Sequence, residues 1–441
     1  METIYALSSA GGRAGVAVIR VSGPLCTFII EELTGGPLPK VREAALRRLT
    51  NPRDGVGLDR ALVLYFKTPQ SFTGEDVAEF HVHGGRAVVA GVLDAIGGFD
   101  GVRAAVAGEF TRRAFENGKL DLTEAEGLAD LIDAETEAQR RQALRQMEGA
   151  LGQIYEGWRG RLLRVLAYAE ADIDFADEDL PDDLMEKLGP QIRGLADEIQ
   201  SHLDDGHRGE RLRDGVEVAI VGPPNVGKSS LLNRLAGRDA AIVSDEAGTT
   251  RDVLEVQLDL GGVPVTLADT AGLREAEGLI EKEGIRRGLV RAGAADLRLV
   301  MVAEGAGDFE LAREGDFRIV NKVDGSAGAA ADSRSSLEGV LAISALTGAG
   351  IETLVQALTE RVLALYGASE HPVITRARHR EGLEDCQASL ARGLAGLETG
   401  LDHALVAEDL RLAMRALGRI TGRVDVEDLL DVVFRDFCIG K

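Results

Sequence analysis

The sequence predicts an α/β and α multidomain protein of four consecutive segments: an α+β domain over residues 1–118, helices over 119–213, an inserted α/β domain over 214–367, and helices again over 368–441. Three observations predict this. Val216-Glu217-Val218-Ala219-Ile220-Val221 alternates early and then runs apolar, as a buried strand does. It leads through the glycine loop Gly222-Pro223-Pro224-Asn225-Val226-Gly227-Lys228-Ser229 into Leu231-Leu232-Asn233-Arg234-Leu235, which reads as a helix. Leu128, Leu131, Ile132, Leu144, Leu162, Leu163 and Leu166 recur at helical spacing before this unit, and Leu383, Leu390, Leu394, Leu397, Leu410, Met414 and Leu417 after it. The α/β unit therefore reads as an insertion into a helical domain made of two chain segments.

The first segment is rich in glycine and strand-like runs. Val16-Ala17-Val18-Ile19-Arg20-Val21 and Ala61-Leu62-Val63-Leu64-Tyr65-Phe66 have the β-branched and aromatic character of strands. The inserted segment carries the chemistry. Its glycine loop fits G-x-x-x-x-G-K-[ST], and strand, loop and helix in that order are the context this pattern needs. Backbone N–H groups freed by glycine close around phosphates, and the helix N-terminus adds a positive partial charge. Lys228 supplies a point charge for the β- and γ-phosphates, and the Ser229 hydroxyl can ligate Mg²⁺.

Later motifs select the nucleotide. Asn321-Lys322-Val323-Asp324 follows Arg318-Ile319-Val320. An aspartate such as Asp324 can accept from both the N1–H and the 2-amino group of guanine, a pair that adenine lacks, so GTP is expected over ATP. Ser344-Ala345-Leu346 after Val340-Leu341-Ala342-Ile343 fits a second base-binding loop, and Asp269-Thr270-Ala271-Gly272 after Val265-Thr266-Leu267-Ala268 fits D-x-x-G. Four motifs in this order predict a Ras-like P-loop GTPase. Leu273 follows, where Ras-like enzymes carry the glutamine that orients the attacking water. Leucine cannot do so, and the acids of the next segment are the candidates. Ser244-Asp245-Glu246-Ala247-Gly248-Thr249-Thr250-Arg251-Asp252 reads as a first switch, in which a threonine ligates Mg²⁺ when the γ-phosphate is present.

Together these motifs resemble the TrmE/Era group of GTPases. The two ends of the chain narrow the resemblance to the tRNA-modifying MnmE (TrmE) family. They are Thr3-Ile4-Tyr5-Ala6, Gly11-Gly12-Arg13, Val18-Ile19-Arg20-Val21-Ser22-Gly23, Ser71-Phe72-Thr73-Gly74-Glu75-Asp76, His83-Gly84-Gly85, Gly108-Glu109-Phe110-Thr111, Arg113-Ala114-Phe115 and the terminal Phe437-Cys438-Ile439-Gly440-Lys441. The resemblance covers essentially the whole chain.

The resemblance implies a GTP-binding set of Asn225, Val226, Gly227, Lys228, Ser229, Ser230, Ser244, Thr249, Thr250, Asp269, Thr270, Ala271, Gly272, Asn321, Lys322, Asp324, Ser344, Ala345 and Leu346. It implies Mg²⁺ on Ser229 and Thr250, and K⁺ on Asn225, Ser244, Glu246 and Thr249, with K⁺ neutralising charge that develops in phosphoryl transfer. Ile280-Glu281-Lys282-Glu283-Gly284-Ile285 matches the family's water-orienting segment loosely and selects Glu281, with Glu283 as the alternative. In the N-terminal domain it implies a tetrahydrofolate carrying a one-carbon unit, such as 5,10-methylenetetrahydrofolate or its 5-formyl analogue, on Arg20, Glu79, Lys119 and Lys441. A carboxylate suits the pterin donors, and arginine or lysine suits the glutamyl tail. Cys438 is implied in the modification reaction, on a tail that reads as flexible and exposed. The resemblance further implies a homodimer, a flavin-containing, NADH-using partner, MnmG, and tRNA whose wobble uridine receives an aminomethyl-type group at C5. A regulatory or ribosome-assembly GTPase without modification chemistry is the alternative.

Composition bounds these readings. Three cysteines, Cys26, Cys386 and Cys438, show no metal spacing and fit a reducing compartment. No secretory pattern and no membrane-length apolar run is present, so a cytoplasmic location is expected. The net charge of −23 opposes non-specific RNA binding by this chain alone. Acid is concentrated in Ala171-Asp172-Ile173-Asp174-Phe175 through Asp182-Asp183, while basic runs remain at Arg112-Arg113, Arg140-Arg141 and Arg376-Ala377-Arg378-His379-Arg380. RNA engagement is therefore expected to be shared with a partner.

Overall fold

The computed structural model describes residues 2–174, 184–223, 225–238, 241, 255–269, 292–303, 312–313, 315–322, 340–366, 372–424, 427–435, 437 and 440. It divides into two compact units, one of residues 1–129, 146–188 and 392–441, the other of residues 130–145 and 189–391.

The first unit begins with a six-stranded sheet of β1 (Thr3–Leu7), β2 (Ala14–Ser22), β3 (Ala45–Thr50), β4 (Gly57–Phe66), β5 (Val77–Gly84) and β6 (Val102–Ala104), in the order β3-β4-β5-β2-β1-β6. All pairs are antiparallel except β1 with β6. Alternation sends Ile19, Val21, Val63, Tyr65, Phe80 and Val82 to one face. There they pack with Ile29, Ile30 and Leu33 of α1 (Cys26–Thr34) and Val92 and Ile96 of α2 (Arg86–Gly97). The same alternation turns Arg20 and Glu79, directly opposite each other in the β2–β5 register, toward the other face.

The long helices α6 (Ala150–Asp174) and α12 (His403–Thr421) pack antiparallel in this unit. His403 at the start of α12 bonds Asp172 near the end of α6, and Thr421 Oγ1 at its end donates to Glu156 Oε1 near the start of α6 at 3.1 Å. Leu151, Tyr155, Leu162 and Leu166 of α6, and Val406, Leu410 and Leu417 of α12, are buried. The helical domain thus joins two segments far apart in sequence. Asp402 caps α12, its carboxylate accepting from Ala404 N at 2.9 Å. Gly422, at φ 86°, ends it.

Phe434 of α13 (Glu427–Arg435) and Phe437 pack with Leu122 and Ala125 of α4 (Leu122–Asp133), and Ser8 Oγ donates to Gly440 O at 2.8 Å. Phe437 and Gly440 are buried. At these two described positions the expected exposed tail is instead buried. The aromatic residues of its amphipathic last helix have a core to enter, and Gly440, at φ 101°, lets the backbone turn against β1. Cys438 and Lys441 lie outside the described residues.

The second unit holds a sheet of β7 (Val216–Val221), β8 (Glu255–Leu260), β9 (Val263–Asp269), β10 (Leu297–Ala303), β11 (Phe317–Asn321) and β12 (Val340–Ala342), ordered β12-β11-β10-β7-β9-β8. Every pair is parallel except β8 with β9. Val218, Ile220, Leu299, Met301 and Ile319 pack with Leu231, Leu232 and Leu235 of α9 (Lys228–Ala236) and Leu354 and Leu358 of α10 (Ile351–Tyr366). Because parallel strands are covered on their faces, these sequences read as nearly continuous apolar runs.

Residues 130–145 belong to this unit for identifiable reasons. Ala138 of α5 (Glu137–Met147) packs against the nucleotide-unit core, beside Gly262 of the β8–β9 turn. Gln139 Nε2 donates to Arg213 O at 3.0 Å. The Asp130 carboxylate accepts from Arg213 Nε at 2.9 Å and Arg376 Nη2 at 2.7 Å, one arginine from each chain segment flanking the α/β insertion. Arg213 lies in α8 (Arg208–Asp214), and Arg376 directly precedes α11 (Ala377–Thr399).

Candidate functional site

The glycine loop leaves β7 at its C-terminal edge and enters α9, so strand order places it at the crevice where parallel α/β sheets bind ligands. Gly222 has φ 151° and sits so near Met301 O on β10 that a Cβ would lie 2.3 Å from that oxygen. Gly227 has φ 103°, and a Cβ there would lie 2.2 Å from Asn321 Nδ2. Glycine at both positions is therefore a steric requirement as well as a conformational one.

Lys228 is 5% exposed and donates through Nζ to Gly222 O and Pro223 O, both at 2.9 Å. Its ammonium folds back into the loop, at the position where it can meet phosphate oxygens. Ser229 Oγ donates to Asp269 Oδ2 at 2.6 Å, bringing the phosphate loop and the end of β9 together. A hydroxyl and a carboxylate oxygen so placed suit a hard divalent cation such as Mg²⁺.

Asn321, 2% exposed, ties three segments. Its Nδ2 donates to Val226 O at 2.8 Å, and its Oδ1 accepts from Ala345 N at 3.0 Å. Next in the chain, Lys322 Nζ donates to Asn225 O at 2.9 Å. Asn225 has φ 59°, a left-handed conformation that asparagine tolerates. The 344–350 loop is self-braced, with Thr347 N donating to Ser344 Oγ at 3.1 Å and Gly348 N to Ser344 O at 2.8 Å. An open cleft of about 690 Å³ is lined by Gly227, Ser230, Asn233, Lys322, Ala345 and Leu346, among others.

These contacts bring together Asn225, Val226, Gly227, Lys228, Ser229, Ser230, Asp269, Asn321, Lys322, Ser344, Ala345 and Leu346 from the expected set. Ser244, Glu246, Thr249, Thr250, Thr270, Ala271, Gly272, Glu281, Glu283 and Asp324 lie outside the described residues. Of the expected K⁺ ligands only Asn225 is described, and its exposed side chain offers an amide oxygen. No group of His, Cys, Asp and Glu among the described residues could hold a metal by itself, so a metal here would need hydroxyls, water or phosphate as well.

A second candidate site lies on the N-terminal sheet. Arg20 donates to Glu79 Oε1 through Nε at 3.1 Å and Nη2 at 2.9 Å, and His81 Nε2 lies 3.2 Å from Glu79 Oε2. The guanidinium carbon is 5.6 Å from the Phe72 ring centroid and 5.7 Å from that of Phe110. Phe110 is fully buried and Phe72 partly exposed, so the cation packs on a core ring and a surface ring next to its carboxylate partner.

Phe72 and Phe110 lie in stretches read only as signatures, and their place beside Arg20 was missed. Phe72 is in the loop between β4 and β5 and Phe110 in α3 (Glu109–Glu116), and no local pattern pairs either with Arg20. Polar members of the same stretches tie the loop to the helix. Glu75 accepts from Ser22 Oγ at 2.7 Å and from Arg113 Nη1 at 2.9 Å, while Arg113 Nη2 donates to Glu109 Oε1 at 3.1 Å. Lys119 is exposed, and its stem lies beside Gly74 of the loop that carries Phe72. No direct contact joins it to Arg20 or Glu79 among the described residues.

The family described as MnmE helical domain matches residues 122–438, and the family described as GTP-binding protein TrmE N-terminus matches residues 3–119. The tRNA modification GTPase MnmE of Parvibaculum lavamentivorans is 69% identical over 100% of both chains. This chain belongs to the MnmE family of tRNA modification GTPases. The MnmE of Rhodospirillum rubrum is 54% identical over 100% of both chains. The human mitochondrial 5-taurinomethyluridine-[tRNA] synthase subunit GTPB3 is 48% identical over 100% of this chain and 93% of its own. As an MnmE-family protein the chain is a GTPase. Among the described residues no helix is long and apolar enough to cross a membrane.

Proposed function

We propose that this chain is the GTP-hydrolysing subunit of a complex that adds an aminomethyl or carboxymethylaminomethyl group at C5 of the tRNA wobble uridine, with a tetrahydrofolate as one-carbon donor. The observation that supports this best is the partly exposed Arg20–Glu79 pair beside Phe72, a paired cation and carboxylate in the same chain as a complete phosphate loop. A nucleotide switch alone has no use for such a pair. In this reading Arg20, Glu79, Lys119 and Lys441 bind the folate, and Cys438 acts in the modification chemistry.

On the nucleotide side, Lys228 and the backbone of residues 225–230 bind the phosphates. Asn321, Asp324 and the 344–346 loop bind guanine. Ser229 and Thr250 would hold Mg²⁺, with Asp269 reaching it through water, and the ion would supply charge to the β- and γ-phosphates. Asn225, Ser244, Glu246 and Thr249 hold K⁺, and Glu281 orients the attacking water. Nucleotide domains of two protomers meet when GTP and K⁺ are bound. MnmG and tRNA are the partners, the location is cytoplasmic, and the four-segment domain division belongs to the same reading.

A mass-spectrometric nucleoside profile of tRNA from cells lacking the chain tests it. The expected result is loss of a C5-aminomethyl-type uridine, restored by the parent and not by Cys438→Ser. An unchanged profile would overturn the proposal and leave a GTPase acting elsewhere, with ribosome assembly next to examine.

A further inference from the structure

Helix α9 begins at the phosphate loop, and its other end reaches the base-binding loop. Arg234, in its last turn, donates through Nε to Ala345 O at 3.2 Å and through Nη2 to Leu346 O. One turn later Arg238 Nη2 donates to Glu352 in the first turn of α10, directly after the same loop. Arg238 lies just beyond the helix end, so the last turn of α9 and the residues after it hold both ends of the 344–352 segment. The grip meets a constraint from the opposite side. Ala345 N–H is already held by Asn321 Oδ1 at 3.0 Å. Ala345 is therefore fixed at its N–H by Asn321 and at its C=O by Arg234.

The consequence follows from peptide geometry. Ala345 C=O and Leu346 N–H belong to one planar trans unit and point in opposite directions. Holding that carbonyl against Arg234 aims the Leu346 N–H away from the helix. Among the described residues this N–H makes no intramolecular hydrogen bond, and Leu346 is 77% exposed at the cleft. A donor so presented suits the carbonyl oxygen of an oxopurine and opposes the amino group at the same place on adenine.

We infer that Arg234 is a positioning residue for guanine recognition, holding the Ala345–Leu346 peptide so that the base loop is organised before nucleotide arrives. Arg234 lies in the last turn of α9, at the opposite end from Lys228 and Ser229 of the phosphate loop. It acts through the loop, and its bidentate reach to two successive carbonyls is a geometry that lysine cannot reproduce. The inference rests on reading residues 344–346 as the base loop.

Stopped-flow release of N-methylanthraniloyl-GDP from the full-length chain tests it, with Arg234→Ala and Arg234→Lys beside the parent. Arg234→Ala is expected to speed release by about tenfold, the loss of one charge-assisted interaction, while the association rate and kcat at saturating GTP stay within about twofold. Arg234→Lys should fall between, since an ammonium can serve one carbonyl. Equal release rates in all three proteins would overturn the role of Arg234. So would a parallel loss of kcat and nucleotide-free melting temperature, which marks a purely structural contact. Hydrogen exchange of the 340–352 peptide in the parent separates the two levels. Protection by GDP upholds the base-loop reading whatever the Arg234 variants do, and absence of protection overturns both.

Discussion

Ser229 Oγ donates to Asp269 Oδ2 at 2.6 Å, so the last residue of the phosphate-loop motif and the first of D-x-x-G meet across β7 and β9. The pair requires both strands in register, and it gathers hydroxyl and carboxylate oxygen where Mg²⁺ chemistry needs them. Ser229→Ala removes the hydroxyl and leaves Asp269 without that donor. GTP turnover at a fixed low Mg²⁺ concentration is expected to fall by about a hundredfold. The Mg²⁺ concentration for half-activation should rise. A turnover rate and Mg²⁺ titration equal to the parent's would refute the assignment.

Asn321 is a structural keystone of the nucleotide site as well as a candidate base contact. Replacing it by alanine leaves Val226 O and Ala345 N–H buried without this partner, at about 1–3 kcal/mol for each group. Asn321→Ala should lower the midpoint of chemical denaturation and weaken GDP binding together. Unchanged stability with weakened binding would assign it to base contact alone.

On the N-terminal sheet, Glu79→Ala is expected to abolish folate binding measured by calorimetry while GTP turnover without tRNA stays within about twofold of the parent. The two sites lie in different compact units. Glu79 keeps Arg20 beside the two rings, so the loss should include folate contacts that Arg20 would make. Full folate affinity in the variant would remove Glu79 from the site.

The Gly440 backbone, at φ 101°, sits where a Cβ would lie 2.3 Å from Leu7 O. Gly440→Ala is therefore expected to cost about 1–2 kcal/mol in docking the tail. It should raise proteolytic sensitivity near residue 437 and reduce tRNA modification, with GTP turnover retained. A variant tail as protease-resistant as the parent's would contradict the docking described above.

Glu210 makes stability depend on pH. Burial raises its pKa, but hydrogen bonds from Arg380 and His207 outweigh burial and hold it below the usual value of 4.5. A carboxylate whose pKa is depressed by folding contributes stability that is fully present above its unfolded pKa and is lost as pH falls through the folded value. Denaturation midpoints should therefore decline as pH drops below about 4.5. Glu210→Gln should be less stable at neutral pH and show a shallower decline. A parallel decline in the variant would mean that other carboxylates carry the effect.

Much of the nucleotide site was legible because its chemistry is local. A loop that must wrap phosphate needs glycine at Gly222 and Gly227 and a cation at Lys228, and those requirements are written in consecutive residues. The α6–α12 pair was legible as two helical patterns, since apolar spacing reports a buried face wherever its partner lies. The docking of the tail was not legible. A short segment ending in Ile-Gly-Lys carries no periodic signal, and only the pocket around Leu122 and Ala125 gives Phe434 and Phe437 somewhere to go. Phe72, Phe110 and Arg234 were missed for a related reason. Each works through a partner far away in the chain, with no local pattern to mark it.

By itself the sequence determined the strand–loop–helix unit, the two helical segments, the order of the nucleotide motifs and the family. These follow from backbone conformation, hydrophobic period and short-range chemistry. Tertiary structure alone decided that Asp130 holds both Arg213 and Arg376, the latter 246 positions away, that Arg20 faces Glu79, and that Arg234 reaches Ala345. Strand register and helix packing choose such pairs. Both are set by the burial of whole faces at once, and no single stretch of residues encodes them.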